Sequence, residues 1–255
     1  MRYPAAAIPL PGNFCARHPF DNGELTIHDE LLAATPREPA EIRQYIANYY
    51  AMISHQDHHM GRLVGGLDRL GLGENTLVIY TGDHGLAVGR HGLMGKQNCY
   101  EHAMRIPLIM RGPGVPVRTV RSALCYGFDL FRTLCDLIGI PIPTSVEGHS
   151  FLPVLSGDES AGRSGVYGVY MDAMTMWSNG DYKIIRTYTR TYTRTDGRGG
   201  DRVQMFDLHA DRHERHDLAA LPEHAGLRRH LLESLHRAQV DLGDLLATRS
   251  LDSVA

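Results

Sequence analysis

The longest regular pattern in the chain is a stretch in which apolar residues recur every three or four positions. It begins between Pro36 and Pro39 and ends at Gly71 and Gly73. That period predicts an amphipathic α-helix, and glycine is common just past a helix C-terminus. The residues before it follow no period and are rich in proline and glycine, which predicts a loop. The apolar positions of the predicted helix are Ile42, Tyr45, Ile46, Tyr49, Ile53, Met60, Leu63, Val64 and Leu67.

Shorter apolar runs follow this helix. The run 77–80 is continuously apolar, as in strands that are covered on both faces of a parallel sheet, and the run 105–110 predicts a second strand. A further helix is predicted between Asp129 as N-cap and Gly139 as C-cap. The first part of the chain therefore indicates an α/β fold with a parallel sheet. Because such sheets carry their sites at the carboxyl ends of the strands, the residues that follow 77–80 are candidates for a functional site.

The pattern changes near residue 158. Short runs rich in Tyr, Val and Ile, separated by polar turns, predict strands of an antiparallel sheet, and a helical period follows over about 223–246. We therefore predict two domains, an α/β part over residues 1–158 and a small α+β part over 159–255. The predicted strands of the second part lie within 165–171, 182–188 and 203–208.

Composition excludes several classes of protein. The 255 residues carry a formal net charge of −3, which argues against a partner that is a nucleic acid or an anionic membrane. No apolar run has the length of a membrane span, and the proline-rich N-terminus is no signal peptide. The repeat TYTRTYTRT at 187–195 could suggest a surface for single-stranded nucleic acid, but an extended hairpin arm fits an acidic protein better. The four cysteines show no CxxC spacing, so they indicate neither zinc nor redox chemistry.

The candidate chemistry lies in the segment 81–114. Asp83 offers a carboxylate and His84 an imidazole, and the flanking glycines would let both side chains turn toward one cation. Lys96 follows within GLMGK, where glycines allow its ammonium to approach a bound anion. A metal together with a lysine suggests an ester of sulfate or phosphate as the substrate. The plainer alternative is that the Asp-His pair forms a cap or a salt bridge.

A second histidine cluster lies on the long predicted helix. His55, His58 and His59 share one helical face, which is a workable arrangement for zinc. Apolar residues on both sides favour instead a helix packed in the core, with histidines at its polar edge.

The segment TGDHGLAVGRHGLMGKQNCYEHAMRIPLIMRGPG resembles the signature of type I sulfatases, which belong to the alkaline phosphatase superfamily. The resemblance is strongest to bacterial enzymes of the iduronate-sulfatase-like and choline-sulfatase-like groups. It covers almost the whole chain, because LPGNFCARHPFDNGE, FDLFRTLCDLIGIPIP, EGHSFLPVLSG and VQMFDLHADRHERHDLA are similar to segments in the same order in that family.

The resemblance implies an alkaline-phosphatase-like fold, a parallel-sheet sandwich that is followed here by the small antiparallel α+β part. It implies that Asp83 and His84 are two ligands of a divalent cation, usually Ca²⁺, and that Lys96 contacts the sulfate and the leaving-group oxygen. His91 lies nearby and could also bind the substrate. The implied substrate is a sulfate ester of a carbohydrate or a small molecule, and relatives are commonly periplasmic or secreted.

The chain also departs from the family pattern. None of its cysteines lies in the C/S-x-P/A-x-R motif that is converted to formylglycine, and the paired metal-binding aspartates of the family are missing. We therefore expect the chain to be the C-terminal half of a sulfatase, inactive by itself and completed by a separately encoded N-terminal half. Two alternatives remain: a degenerate fragment without catalysis, and a phosphate or phosphonate ester hydrolase of the same superfamily.

Overall fold

The computed structural model describes residues 2–21, 24–188 and 201–248; most of the repeat at 187–195 lies outside this range. The helices and strands are α1 Pro39–Arg69, β1 Val78–Thr81, α2 Glu101–Met104, β2 Leu108–Arg111, α3 Asp129–Ile138, α4 Leu152–Leu155, β3 Val166–Tyr170, β4 Met174–Ser178, β5 Tyr182–Thr187, β6 Arg202–Asp207 and α5 Ala225–Asp241. Short 3-10 helices lie at Ala5–Ala7, Glu30–Leu32, Gly73–Asn75, Glu159–Ala161, Pro222–His224 and Leu245–Thr248. None of the described helices is both long enough and apolar enough to cross a membrane.

The chain folds into two compact units, and neither is continuous in sequence. The first comprises Met1–His58, His84–Ile106 and Tyr167–Ala255, and the second comprises His59–Asp83 and Pro107–Val166. Because segments distant in sequence combine within one unit, the structure does not reduce to a single cut in the chain. The predicted boundary between residues 158 and 159 stays a prediction.

Helix α1 has the extent that the sequence predicts. Proline is tolerated at its first position because that residue's N–H would have no partner within the helix. Only the first part of its apolar face is buried, where Ile42, Ile46 and Ala47 join a core cluster with Val88 and Met94. Farther along, the predicted apolar face is open, and Ile53 and Leu63 are 43% and 54% exposed.

Strands β1 and β2 pair antiparallel, with Val78 opposite Arg111 and Thr81 opposite Leu108. The parallel arrangement expected for these runs is therefore wrong for this pair. A parallel crossover usually runs through a helix that packs on the sheet, and the only α-helix described in the connection between these strands is α2, with four residues. The pair is also only partly covered, since the residues of β1 are half-buried or exposed. The predicted mixed α/β class itself is confirmed.

The C-terminal part forms a four-stranded sheet in the order β3-β4-β5-β6. The β4–β5 and β5–β6 pairs are antiparallel, which confirms the predicted antiparallel sheet. Helix α5 lays its apolar side on this sheet, and it ends at Asp241, before the end of the predicted period near residue 246. Strand β4 was not predicted, because MTMWS lacks the alternation of a half-covered strand and four of its five residues are buried. The shared core includes Tyr167, Ile184, Met205, Leu231, Leu232 and Leu235.

Helix α3 ends as predicted but begins differently. Gly139 is its C-cap, with a left-handed φ of 72°. Asp129 is the first helical residue and not the N-cap, which is Phe128. The Asp129 carboxylate accepts the backbone N–H groups of Tyr126 and His149 at 2.8 and 2.7 Å, so it serves groups outside the helix. It also pairs with Arg163, and this bond helps to hold its pKa below the usual range although burial opposes the shift.

Candidate functional site

Asp83 and His84 lie where the sequence predicts, two and three residues beyond the end of β1, and both side chains are exposed. The backbone after them is tightly packed. The N–H of Gly85 donates to the carbonyl of Ala103 at 2.9 Å, and a Cβ atom at position 85 would lie 1.9 Å from the carbonyl oxygen of His102. Glycine is therefore needed here for a close backbone contact, which fixes the segment that follows His84.

Lys96 lies on a separate turn, and its side chain is exposed. Its backbone N–H donates to Oε1 of Gln97 at 3.0 Å, and its carbonyl accepts the N–H of Asn98 at 2.8 Å. Gln97 also donates to the carboxylate of Asp29 at 2.8 Å. That hydrogen bond lowers the pKa of Asp29, and the charge of Lys96 acts in the same direction. The turn thus presents a lysine ammonium near an ionised carboxylate.

A buried ion pair holds the backbone just before Lys96. The carboxylate of Glu30 accepts the N–H groups of Met94 and Gly95, both at 2.9 Å. Arg37 donates to the same carboxylate and, at 3.0 Å, to the carbonyl of Gly92. Both charged side chains are almost fully buried. The GLMGK turn is therefore anchored to the chain that precedes α1. Sequence reasoning missed this pair, because nothing in a single charged residue indicates which distant backbone groups it will bind.

His91 lies inside the fold. Its φ is +52°, it is 7% exposed, and its ring stacks on Tyr100 with the centroids 4.0 Å apart. The Asn13 amide nitrogen lies 3.1 Å from Nε2 of His91, so Nε2 accepts a hydrogen bond and the ring is neutral. Burial lowers the pKa of His91 to about 4. Its predicted role in substrate binding stays a prediction, and the contacts show it bracing the loop that leads to Lys96.

Two more imidazoles lie against His91. Nδ1 of His18 is 2.8 Å from the His91 carbonyl oxygen, and burial lowers the pKa of His18 to about 4. The ring of His102 lies 5.7 Å from that of His91, and burial also lowers its pKa. Among the described residues neither ring nitrogen of His102 has a hydrogen-bond partner. The cluster is thus a set of neutral rings, of which His91 belongs to a buried residue and the other two to half-buried residues.

A buried lysine lies just beyond this cluster. Lys183 of β5 is fully buried and contacts the carboxylates of Glu101 and Glu214 at 2.5 and 2.9 Å. Sequence reasoning treated YKIIRTY only as a strand and missed Lys183. The signal that could have identified it is a lysine within an apolar strand, which predicts that the side chain is buried. A buried lysine in turn requires a charged partner.

The structure also bears on the metal readings. Over the described ranges, no group of three or more His, Cys, Asp or Glu side chains is arranged to hold a metal ion. His55, His58 and His59 are exposed on α1 and form no such group, so the zinc alternative gains no support. Asp83 and His84 supply one carboxylate and one imidazole. Ca²⁺ takes six to eight oxygen ligands, so Asp83 fits this ion better than His84 does, and the role of the pair as cation ligands stays a prediction.

Comparison with known proteins gives matches to two family models. The Sulfatase family model matches residues 4–140, and the model of the N-sulphoglucosamine sulphohydrolase C-terminal region matches residues 89–241. An N-acetylglucosamine-6-O-sulfatase of Bacteroides thetaiotaomicron is 28% identical over 214 residues, which are 79% of this chain and 37% of that protein.

Solved structures share the fold. A protein in complex with its substrate D-glucosamine-2-N,6-O-disulfate is 26% identical with a TM-score of 0.69, over 88% of this chain and 44% of that one. A phosphonate monoester hydrolase from Silicibacter pomeroyi is 23% identical with a TM-score of 0.74, over 93% of this chain and 51% of that one. The chain thus spans about half, or less, of the length of these relatives. The two family models cover its loops, its site and its C-terminal sheet, and the chain belongs to the type I sulfatase family of the alkaline phosphatase superfamily.

Proposed function

We propose that this chain is the part of a sulfuric ester hydrolase that carries Lys96 and part of a divalent-cation site. The observation that supports this most is the Sulfatase family match over residues 4–140, which includes the anchored turn that presents Lys96. A lysine on a rigid turn costs little reorganisation when charge develops on the substrate. In this proposal the ammonium binds a sulfuryl oxygen and the leaving-group oxygen.

Asp83 and His84 would hold the cation, for which Ca²⁺ is the ion that the resemblance implies. When bound, the cation would neutralise negative charge on the sulfuryl group. The close contact between Gly85 and the backbone of His102 keeps the following segment in place, so the Asp-His pair is attached to a fixed support on one side. The other ligands that Ca²⁺ requires would come from polypeptide outside these 255 residues.

The nucleophile would come from the same source. No cysteine of the chain lies in the formylglycine motif, and without a nucleophile the covalent step has no partner atom. We therefore propose that the chain acts together with a polypeptide that carries the N-terminal portion of a sulfatase and is inactive alone. The substrate class that the relatives favour is a sulfated sugar, since one acts on N-acetylglucosamine 6-O-sulfate by name and another is solved with a glucosamine disulfate.

The test is to combine the chain with a polypeptide that carries the C-x-P-x-R portion and to measure hydrolysis of an aryl sulfate. Lys96→Ala should lower kcat/KM by a factor of about 100 or more, the effect of removing a donor to the developing charge. Asp83→Ala should raise the Ca²⁺ concentration needed for half-maximal activity. Arg212→Ala and Asp57→Ala, at exposed positions, serve as matched controls. Full activity of the combined protein that carries Lys96→Ala would refute the role of that residue.

Phosphonate ester hydrolysis is the second candidate, because the chain shares its fold with a phosphonate monoester hydrolase. A shared fold does not fix the reaction, so the two chemistries have to be compared directly. The same combined protein should hydrolyse an aryl sulfate with a higher kcat/KM than a phosphonate monoester of the same alcohol. The reverse order would favour the second candidate, and no hydrolysis of either ester would favour a non-catalytic fragment.

A further inference from the structure

The compact unit that holds Lys96 also holds a fully buried cation, Lys183 of β5. Its Nζ atom lies 2.5 Å from Oε1 of Glu101, 2.9 Å from Oε1 of Glu214 and 3.2 Å from the carbonyl oxygen of Cys99. An ammonium group has three N–H donors, so each donor has an acceptor here. A single side chain of the C-terminal sheet therefore binds three points of the chain outside that sheet.

The Glu214 carboxylate also binds the backbone of Glu101 directly. The second oxygen of Glu214 accepts the backbone N–H of Glu101 at 2.7 Å, which fixes the first residue of α2. Burial lowers the pKa of Lys183, but the charges of Glu214 and Glu101 outweigh it and the pKa is raised overall. The lysine is thus an ammonium, and removing it would leave buried carboxylates without a cation.

The contact between Lys183 and the Cys99 carbonyl connects the lysine to the turn that carries Lys96. The Cys99 carbonyl that Lys183 binds lies three residues beyond Lys96. Between them, Asn98 bonds the Lys96 carbonyl through its N–H and accepts the N–H of Tyr100 through its side chain. Because this turn is cross-linked at each step, a displacement of Cys99 would be passed on to Lys96.

The contact between Lys183 and Glu101 connects the lysine to the segment that carries His84. Glu101 begins the short helix α2, and the next residue, His102, presses its carbonyl oxygen against Gly85. Gly85 in turn donates to Ala103 of the same helix at 2.9 Å. A shift of Glu101 would therefore move the surface against which the residue after His84 is packed.

The use of lysine in this chain is sparse. Of its 26 Lys and Arg residues only two are lysines, and they are Lys96 and Lys183. A compact ammonium can meet three acceptors from different directions, whereas a planar guanidinium cannot do so in the same space. The buried position thus has the residue type that its three acceptors require.

We propose that Lys183 is a positioning residue, which acts through Glu101, Glu214 and the Cys99 carbonyl to hold both His84 and Lys96 in place. The inference rests on the proposed function, since the groups it positions are the ones assigned there to the cation and the sulfate. It gives the C-terminal sheet a direct part in building the site.

The test uses the full chain with Lys183→Met and, as a matched control, Arg229→Met, which removes an exposed cation from α5, the helix that packs on the same sheet. Two quantities are measured at a temperature where each variant is folded: the Kd for inorganic sulfate in the presence of Ca²⁺ and of the polypeptide that carries the C-x-P-x-R portion, and amide hydrogen exchange of the chain itself. Lys183→Met should weaken sulfate binding about tenfold, the equivalent of one charged hydrogen bond, and should speed exchange over residues 84–101 but not in β4. Arg229→Met should change neither quantity.

A second variant covers the case in which Lys183→Met does not fold. Glu101→Gln keeps the Lys183–Glu214 pair and alters a side chain that is 22% exposed, and it should speed exchange at Gly85 and weaken sulfate binding by a smaller factor. Unchanged exchange over 84–101 in the folded variants would overturn the proposal, and so would equal acceleration in β4, which indicates a merely structural role. If the unaltered chain binds no sulfate even with the complementing N-terminal polypeptide, the proposed function fails, while the exchange pattern of the chain still decides the positioning role.

Discussion

At the scale of single residues, the structure separates two kinds of histidine. His84 is exposed beyond the end of β1, whereas His18, His91 and His102 are enclosed and neutral. Sequence alone could identify histidines as candidates for chemistry, but it could not tell which rings would be buried. The enclosed rings make folding sensitive to acid, because burial opposes the charged form of imidazole.

We expect the free energy of unfolding to fall as the pH is lowered from about 6.5 to 4. In that window the unfolded chain takes up a proton at His91 that the folded chain does not bind, so acid favours the unfolded state. The contribution is fully present above pH 6.5. A pKa displaced from 6.5 to about 4 corresponds to roughly 3 kcal/mol for His91. Urea unfolding across this range measures it.

The control is His91→Asn, since asparagine tolerates a positive φ better than most residues. Its free energy of unfolding should depend less on pH over the same window than that of the unaltered chain. Equal pH dependence of the two proteins would show that His91 is not responsible.

At the scale of secondary-structure elements, α2 is very short, but it contacts the backbone just after His84 and is also tied to strand β5. Its carbonyls at His102 and Ala103 meet Gly85, and Glu101 joins it to β5. The contact with Gly85 is so close that no side chain fits between the two segments. The conformation after His84 therefore depends on glycine at this position.

Gly85→Ala should destabilise the protein by about 1–3 kcal/mol, the usual cost of an atom forced into a packed site. Its Cβ would lie 1.9 Å from the His102 carbonyl oxygen, so backbone has to move. The matched control is Gly61→Ala in α1, where a Cβ meets nothing within 4 Å. That change should stabilise the helix by about 0.5–1 kcal/mol. Thermal or urea unfolding distinguishes the two, and similar stability of both variants would contradict the close contact.

The elements also show what a periodic pattern can and cannot predict. The period of three and four gave the extent of α1 and the face of α5, because it reflects which side is covered. It could not give the direction of β1 against β2, since a short apolar run looks the same in a parallel and an antiparallel pair. The buried strand β4 was not predicted for a related reason, because burial on both faces removes the alternation of apolar and polar residues.

At the scale of the whole molecule, a large apolar core lies between α5 and the sheet β3–β6. Leu231 and Leu235 of α5 have no exposed surface. The helical period indicates that these two leucines share a face, but it does not reveal the contacts that carry the candidate site. Glu30 lies 64 residues from Met94 and Lys183 lies 84 from Cys99. Such pairs depend on how distant segments meet, and no local pattern encodes them.

Leu235→Ala should lower the free energy of unfolding by about 2–5 kcal/mol, because it leaves a cavity in this core. Leu245→Ala is the matched control, as that side chain is 84% exposed, and its effect should stay within about 0.5 kcal/mol. Urea unfolding followed through Trp177, which packs against the same core, reports both. A small effect of Leu235→Ala would show that α5 contributes little to the stability of the sheet.

The discontinuous make-up of the first unit has a consequence for how the protein is made. The side chain of Asn13 donates to the carbonyl of His213, 200 positions later, at 2.8 Å. At a translation rate of roughly 5–20 residues per second, the early segment leaves the ribosome some tens of seconds, at the slower rate, before its partner exists. The Asn13 amide therefore lacks this acceptor during that interval, whereas the apolar residues of its segment can already pack against Val88 and Met94.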